Sequence, residues 1–137
     1  MACVEEKIRL ETDGTLSFGN YSVSEKQKLD GFEVNGDLYK VKTHNEVTRL
    51  EKNSKLLLES VPGSTVHNFK LTEKVISYDI EGYEDTRLTL ELEPKTEYRI
   101  LIDDVNVGKM KSNLSGKINF SIDLSSRPQN VKIEKIP

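Results

Sequence analysis

The residue types that most often carry chemistry are few in this chain of 137 residues. His44 and His67 are its two histidines, and Cys3 is its one cysteine. The histidines do not have a metal-site spacing such as His-x-x-x-His, so we expect His44 to be solvated in a loop and His67 to pack beside a turn. Cys3 has neither a base nor an activating environment in view. An enzyme would need both histidines to meet a carboxylate in one pocket, and we predict that the protein is not an enzyme.

Three oxygen-bearing side chains lie close together at Asp103, Asp104 and Asn106. Ca²⁺ prefers carboxylate and amide oxygens, so this segment is the candidate metal site of the chain. It lacks the length and spacing of an EF-hand loop, and a solvated turn between two strands is the alternative. We therefore expect no cofactor, with calcium as the one ion to test.

Aromatic residues next to carboxylates indicate where a ligand would bind. Tyr83 precedes Glu84 and Asp85 in a predicted turn, and exposed loop aromatics are common contact residues. Tyr21 and Tyr39 are further candidates for an aromatic platform of the kind that binds sugars. The predicted ligand-binding residues are Tyr83, Glu84, Asp85 and Tyr39, and the alternative for Tyr83 is a ring that leans back onto the sheet edge.

The elements that must position these residues are β-strands. Four segments between Val75 and Leu124 alternate apolar and polar residues, which places the apolar side chains on one face of a strand and would scatter them around a helix. Gly82 and Pro94 separate the first three segments. The apolar sets are Ile76, Tyr78 and Ile80; Leu88, Leu90 and Leu92; Tyr98, Ile100 and Ile102; and Ile118, Phe120, Ile122 and Leu124.

The segment from Leu92 to Ile100, LEPKTEYRI, resembles the Leu-x-Pro-x-Thr-x-Tyr signature of fibronectin type III domains. The resemblance implies an immunoglobulin-like sandwich in which Tyr98 forms a tyrosine corner. Its ring would pack in the core while its hydroxyl bonds to backbone a few residues upstream. The chain has no Trp, although that family commonly buries one on an early strand.

The rest of the chain also reads as short strands. A hairpin is expected around Thr12–Gly14, a type I′ hairpin turn at Asn35–Gly36, a central strand at Lys55–Val61, and a last edge strand at Val131–Ile133. We predict an all-β fold, an antiparallel β-sandwich of immunoglobulin or fibronectin III type with additional N-terminal strands. Residues 1–137 form one domain in this prediction, and a subdivision near residues 71–74 is the alternative.

Composition restricts the possible partners. The net charge of −3, with 31% charged residues, is typical of a well-solvated surface and argues against a nucleic-acid partner. No apolar run reaches the length that inserts into a membrane. The first residues lack the basic and apolar segments of a signal peptide, so we favour a cytoplasmic location, or an extracellular one if a signal peptide has been removed.

We therefore predict a non-catalytic binding or structural module that mediates protein–protein interaction or self-association through a sheet edge or a loop tip. The alternative is a carbohydrate-binding accessory domain of a glycan-active protein, which exposed, coplanar tyrosines would favour.

Overall fold

The computed structural model describes residues 3–137, which form thirteen β-strands in two antiparallel sheets. The seven-stranded sheet has, from edge to edge, β1 (Ile8–Leu10), β2 (Leu16–Phe18), β7 (Ser64–Leu71), β8 (Val75–Gly82), β13 (Gln129–Lys135), β10 (Glu97–Ile102) and β11 (Val105–Lys111). The six-stranded sheet has β12 (Lys117–Asp123), β9 (Asp85–Glu91), β6 (Lys55–Val61), β5 (Thr48–Lys52), β4 (Asp37–Thr43) and β3 (Gln27–Val34). Residues 3–137 contain no helix long and apolar enough to cross a membrane.

The core lies between the two sheets, and the predicted all-β sandwich is confirmed. Alternation sends every second side chain inward, so Ile76, Tyr78 and Ile80 of the seven-stranded sheet join one buried cluster with Leu88 and Leu90 of the six-stranded sheet. Fully burying an aliphatic side chain of this size contributes about 1.5–3 kcal/mol to folding. The alternating apolar residues therefore hold the sheets together.

The predicted turns and hairpins are also present in the structure. Asn35 and Gly36 both have positive φ, 51° and 86°, between β3 and β4, as a type I′ turn requires. The N-terminal hairpin forms from β1 and β2. β6 pairs with both β5 and β9, so Lys55–Val61 is a central strand.

The expected edge strand at Val131–Ile133 is wrong. β13 is an interior strand that pairs with β8 on one side and β10 on the other. Val131 and Ile133 are buried, while the alternating charges of Lys132 and Glu134 lie on the outer face of the sheet. Charges on every second position indicate a solvated face, and they do not distinguish an edge strand from an interior one.

Candidate functional site

A buried carboxylate forms the most unusual polar contact of the described chain. Glu81 is 1% exposed, and each of its two carboxylate oxygens has a partner. Oε1 lies 2.7 Å from Nε2 of His67, and Oε2 accepts the Tyr21 hydroxyl at 2.8 Å. His67 and Tyr21 are themselves buried. Buried polar groups are tolerated in proteins when they are hydrogen-bonded, and both oxygens of Glu81 meet this condition.

The cluster lies on the outer face of the seven-stranded sheet. Val66 and Ile80 oppose each other across β7 and β8 with inward side chains, so the neighbouring Glu81 and His67 point away from the core. The segment that follows β2 reaches this outer face, because the Tyr21 hydroxyl donates to Glu81 there and the Gly19 carbonyl accepts the Thr65 hydroxyl. A polar sheet face is thereby buried.

Tyr21 connects the buried carboxylate to the surface. Its pKa is raised because burial disfavours the phenolate and because its hydroxyl is bonded to Glu81. The ring of Tyr83 meets that of Tyr21 edge-on, with centroids 4.7 Å apart and planes at 89°. Tyr83 is therefore positioned by a side chain that the buried Glu81 holds in place.

Tyr83 and Glu84, two of the predicted ligand-binding residues, lie together. They line a shallow depression of about 600 Å³ with Asn45, Glu46, Val61 and Pro62, and 58% of Tyr83 is exposed. Asp85 is also exposed and begins β9 next to this depression. The depression thus offers an aromatic ring, two carboxylates and an amide to a ligand.

Tyr39 lies at the other end of the sandwich. It opposes Lys52 on β4 and β5, close to where β6 begins, whereas Tyr83 lies beside Val61, where β6 ends. A strand of that length spans about 20 Å. Tyr39 is half-buried against the core and Tyr21 is buried, so the exposed, coplanar tyrosines expected of a sugar platform are not present among the described residues.

The candidate calcium ligands are used in separate intramolecular contacts. Asp103 accepts the Asn130 backbone amide, Asp104 pairs with Lys132, and Asn106 accepts the Gly108 amide. Residues 3–137 contain no group of three or more His, Cys, Asp or Glu placed to hold a metal ion. Asp103 and Asp104 have φ of 49° and 65° and form the turn between β10 and β11.

A second candidate surface lies where the sandwich is open, and we call it the open side. It consists of β11 and β12, which are edge strands of opposite sheets, and of the connection between them, residues 112–116. A groove of about 400 Å³ runs between these edges. Three exposed apolar side chains, Val105, Val107 and Leu114, lie on the open side, with exposures of 62%, 56% and 77%.

A cleft of about 740 Å³ opens between the sheets at the end opposite Tyr83. Core residues such as Leu57, Phe69 and Tyr98 form its floor. Charges of both signs surround it, and Lys55 is paired with Glu91. This rim does not select a ligand of either charge.

Sequence reasoning missed the Glu81 cluster. Glu81 shares the polar parity of β8 with Ser77 and Asp79, and nothing within the strand distinguishes it. The expectation that His67 packs beside a turn is wrong, because His67 lies buried within β7. His44 lies in the connection between β4 and β5 and is not among the bonding partners of Glu81.

Comparisons with known proteins found nothing similar to this chain. No family model matches the chain. A search of curated proteins and a search of solved structures also gave no match.

Proposed function

We propose that this protein is a non-catalytic interaction module that binds another protein, or a second copy of itself, through its open side. The observation that carries the proposal is the presence of two free strand edges beside exposed valines. Free backbone groups on an edge pair with an added strand, and exposed apolar side chains supply pockets and contact area.

The non-catalytic part of the proposal rests on the buried cluster. Both oxygens of Glu81 are engaged, one by Tyr21 and one by His67, and all three side chains are buried. A general acid or base must reach a substrate proton, directly or through one water. In this protein the carboxylate instead bonds both to His67 within the sheet and to Tyr21, which it holds against the sheet.

We further propose that the sandwich is of immunoglobulin or fibronectin III type. The support is the contact of Tyr98, which is 5% exposed and whose hydroxyl accepts the Glu93 backbone amide at 3.1 Å. A buried ring bonded to backbone five residues upstream is the contact of a tyrosine corner. The strands that precede this region would be additions to such a core.

Peptide selection tests the interaction proposal. A random peptide library is selected on the immobilised chain, and the enriched peptides are rebound to Val107→Asp and Leu10→Asp variants. Val107 lies on the open side, whereas Leu10, 47% exposed, lies on the opposite edge strand of the same sheet. We expect Val107→Asp to weaken binding at least about tenfold and Leu10→Asp less than about twofold. Equal losses, or no enriched peptide from a chain that also stays monomeric, would contradict the proposal.

Carbohydrate binding is the second candidate function, and the depression at Tyr83 favours it. The exposed ring is fixed by Tyr21, and Glu46, Glu84 and Asn45 provide hydrogen-bonding groups around it. Proteins commonly place a few polar groups around an apolar surface to orient a ligand.

Amide chemical shifts measured during titration with a panel of oligosaccharides test this second candidate. A saturable change around residues 45–46 and 83–84 that disappears in Tyr83→Ala and persists in Tyr39→Ala would support it. Changes that survive in Tyr83→Ala, or no saturable change with any sugar, would exclude the depression as a site for that panel.

A further inference from the structure

The free edge of β12 has a defined pattern of open backbone groups. Leu124 donates its amide to Glu84, and Leu92 donates to Gly116, which continues the β9–β12 register at both ends. In an antiparallel pair only alternate residues bond to the neighbouring strand. The even-numbered residues of β12 therefore bond to β9, and the odd-numbered ones direct their N–H and C=O groups to the free edge.

Both ends of this edge are already capped. Lys117 exchanges bonds with Asn113, since its amide donates to the Asn113 side chain and its carbonyl accepts the Asn113 amide. The Asp123 carbonyl accepts the Gln129 side-chain amide. Among the described residues, Asn119 and Ser121, on either side of Phe120, are the residues of β12 whose outward N–H and C=O groups both remain open for a new strand.

The side chains of β12 are chemically symmetric about Phe120. The strand reads KINFSID, and Phe120 is its central residue. Residues at equal distances from the centre match or complement each other, as in Lys117 and Asp123, Ile118 and Ile122, and Asn119 and Ser121. Lys117 and Asp123 are exposed, and neither forms an ion pair within residues 3–137.

We propose that two copies of this chain associate through β12, antiparallel, with a two-fold axis at Phe120. This inference rests on the proposed function and names the partner at one strand of the open side. Asn119 of each copy would exchange two backbone hydrogen bonds with Ser121 of the other, giving four in all. Lys117 of each copy would face Asp123 of the other, and the six-stranded sheets would become continuous.

β12 suits this role better than β11. All seven residues of β12 pair with β9 without a bulge. The β10–β11 pairing has a register shift between Ile100 and Leu101 that leaves Val107 of β11 without an opposite residue, and the side chain of Asn106 already accepts the Gly108 amide. Bulges and locally satisfied backbone protect an edge from pairing, and a long regular edge strand lacks that protection. The side chain of the half-buried Phe120 would be covered by its symmetry mate.

Register-specific crosslinking tests the geometry. Asn119→Cys and Ser121→Cys are each made in the full chain with Cys3→Ser, and each is oxidised alone and in an equimolar mixture. The proposed pairing brings position 119 of one copy opposite position 121 of the other, at a Cα separation of about 5.5 Å that a disulfide spans. We expect covalent dimer in the mixture and little in either variant alone. Equal crosslinking in all three samples, or none in the mixture, would overturn the register.

Charge reversal tests the affinity of the two copies for each other, without the oxidation step that crosslinking needs. Sedimentation is measured from about 10 µM to about 1 mM protein, because a single strand pair is a small interface. Lys117→Asp and Asp123→Lys should each weaken dimerisation, since like charges then face each other, and the double variant should restore it. Both side chains are exposed, so folding is preserved and thermal unfolding verifies this. A wild-type chain that stays monomeric, or a double variant as weak as the singles, would overturn the proposal.

Failure of this inference is distinguishable from failure of the proposed function. A monomeric chain whose selected peptides still depend on Val107 would retain the open side as an interaction surface and exclude the second copy as its occupant. A dimer that crosslinks as predicted supports both proposals, even if no peptide is enriched.

Discussion

Nε2 of His67 lies 2.7 Å from Oε1 of Glu81, and both side chains are buried on the outer face of a β-sheet. That face would ordinarily be solvated. Here Tyr21 lies against it, and the Tyr21 hydroxyl donates to the second oxygen of Glu81. The cluster therefore joins the covering segment to the sheet by hydrogen bonds in place of an apolar contact.

Replacing Glu81 by Ala should lower the free energy of unfolding by about 3 kcal/mol. The change leaves a buried histidine nitrogen and a buried phenol without their partner, and each such loss costs about 1–3 kcal/mol. Glu84→Ala is the matched control, because Glu84 is exposed and surface changes stay within about 0.5 kcal/mol. Urea denaturation measures both variants, and equal midpoints would show that the cluster does not stabilise the fold.

Tyr78→Phe should leave stability unchanged or raise it by about 1 kcal/mol. Tyr78 is 1% exposed, and its hydroxyl has no hydrogen-bond partner within residues 3–137. Burying an unpaired hydroxyl is unfavourable, and Phe keeps the ring that stacks on Phe69 at 5.7 Å. Urea denaturation measures the free energy of unfolding of both proteins. A loss above about 1 kcal/mol in Tyr78→Phe would contradict the prediction and indicate a buried water bonded to this hydroxyl.

Stability should fall as the pH rises above about 10, where an unfolded tyrosine ionises. Burial raises the pKa of Tyr78, and burial together with the bond to Glu81 raises that of Tyr21. Above about pH 10 the unfolded chain therefore binds fewer protons than the native protein. The two tyrosines contribute their full stabilisation of the native state below about pH 10 and progressively less above it. Tyr78 alone contributes a slope of about −1.4 kcal/mol per pH unit. Denaturation at alkaline pH should show a shallower slope in Tyr78→Phe, and an unchanged slope would contradict this assignment.

Tyr98→Phe should cost about 1–2 kcal/mol, because the Glu93 amide loses the hydroxyl that accepts it. Tyr39→Phe is the control. Tyr39 is half-buried, and its hydroxyl makes no hydrogen bond to the described residues. Differential calorimetry of the two variants should show a lower midpoint for Tyr98→Phe, and indistinguishable midpoints would remove the support for a tyrosine corner.

Gly116→Ala should destabilise far more than Gly14→Ala. Both glycines have positive φ, 86° and 87°, which costs an alanine about 1 kcal/mol. A Cβ at Gly116 would also overlap the Leu92 carbonyl, whereas nothing lies within 4 Å of one at Gly14. We expect a loss of about 3 kcal/mol or more for Gly116→Ala, and comparable losses in thermal unfolding would show that the β9–β12 junction adjusts.

Much of the fold follows from local pattern. Alternation at Val75–Leu124 predicted four strands that are present as β8, β9, β10 and β12, and the Asn35–Gly36 dipeptide predicted its hairpin turn. These predictions succeed because pleating and turn conformation depend on neighbouring residues. Tyr83 and Glu84 were likewise predicted to lie together because they are consecutive in the sequence.

Strand order and the burial of polar residues were decided by tertiary structure. β13 pairs between β8 and β10, and Glu81 is buried because residues some sixty positions earlier cover it. The period-two pattern specifies which face of a strand is apolar, but it does not specify which strand lies beside it or what covers the other face. The separation of Tyr39 from Tyr83 and the free edge of β12 likewise arise from contacts between segments far apart in sequence. The sequence by itself determined the strands and their turns, and the long-range packing decided which polar groups are buried and which edges remain open.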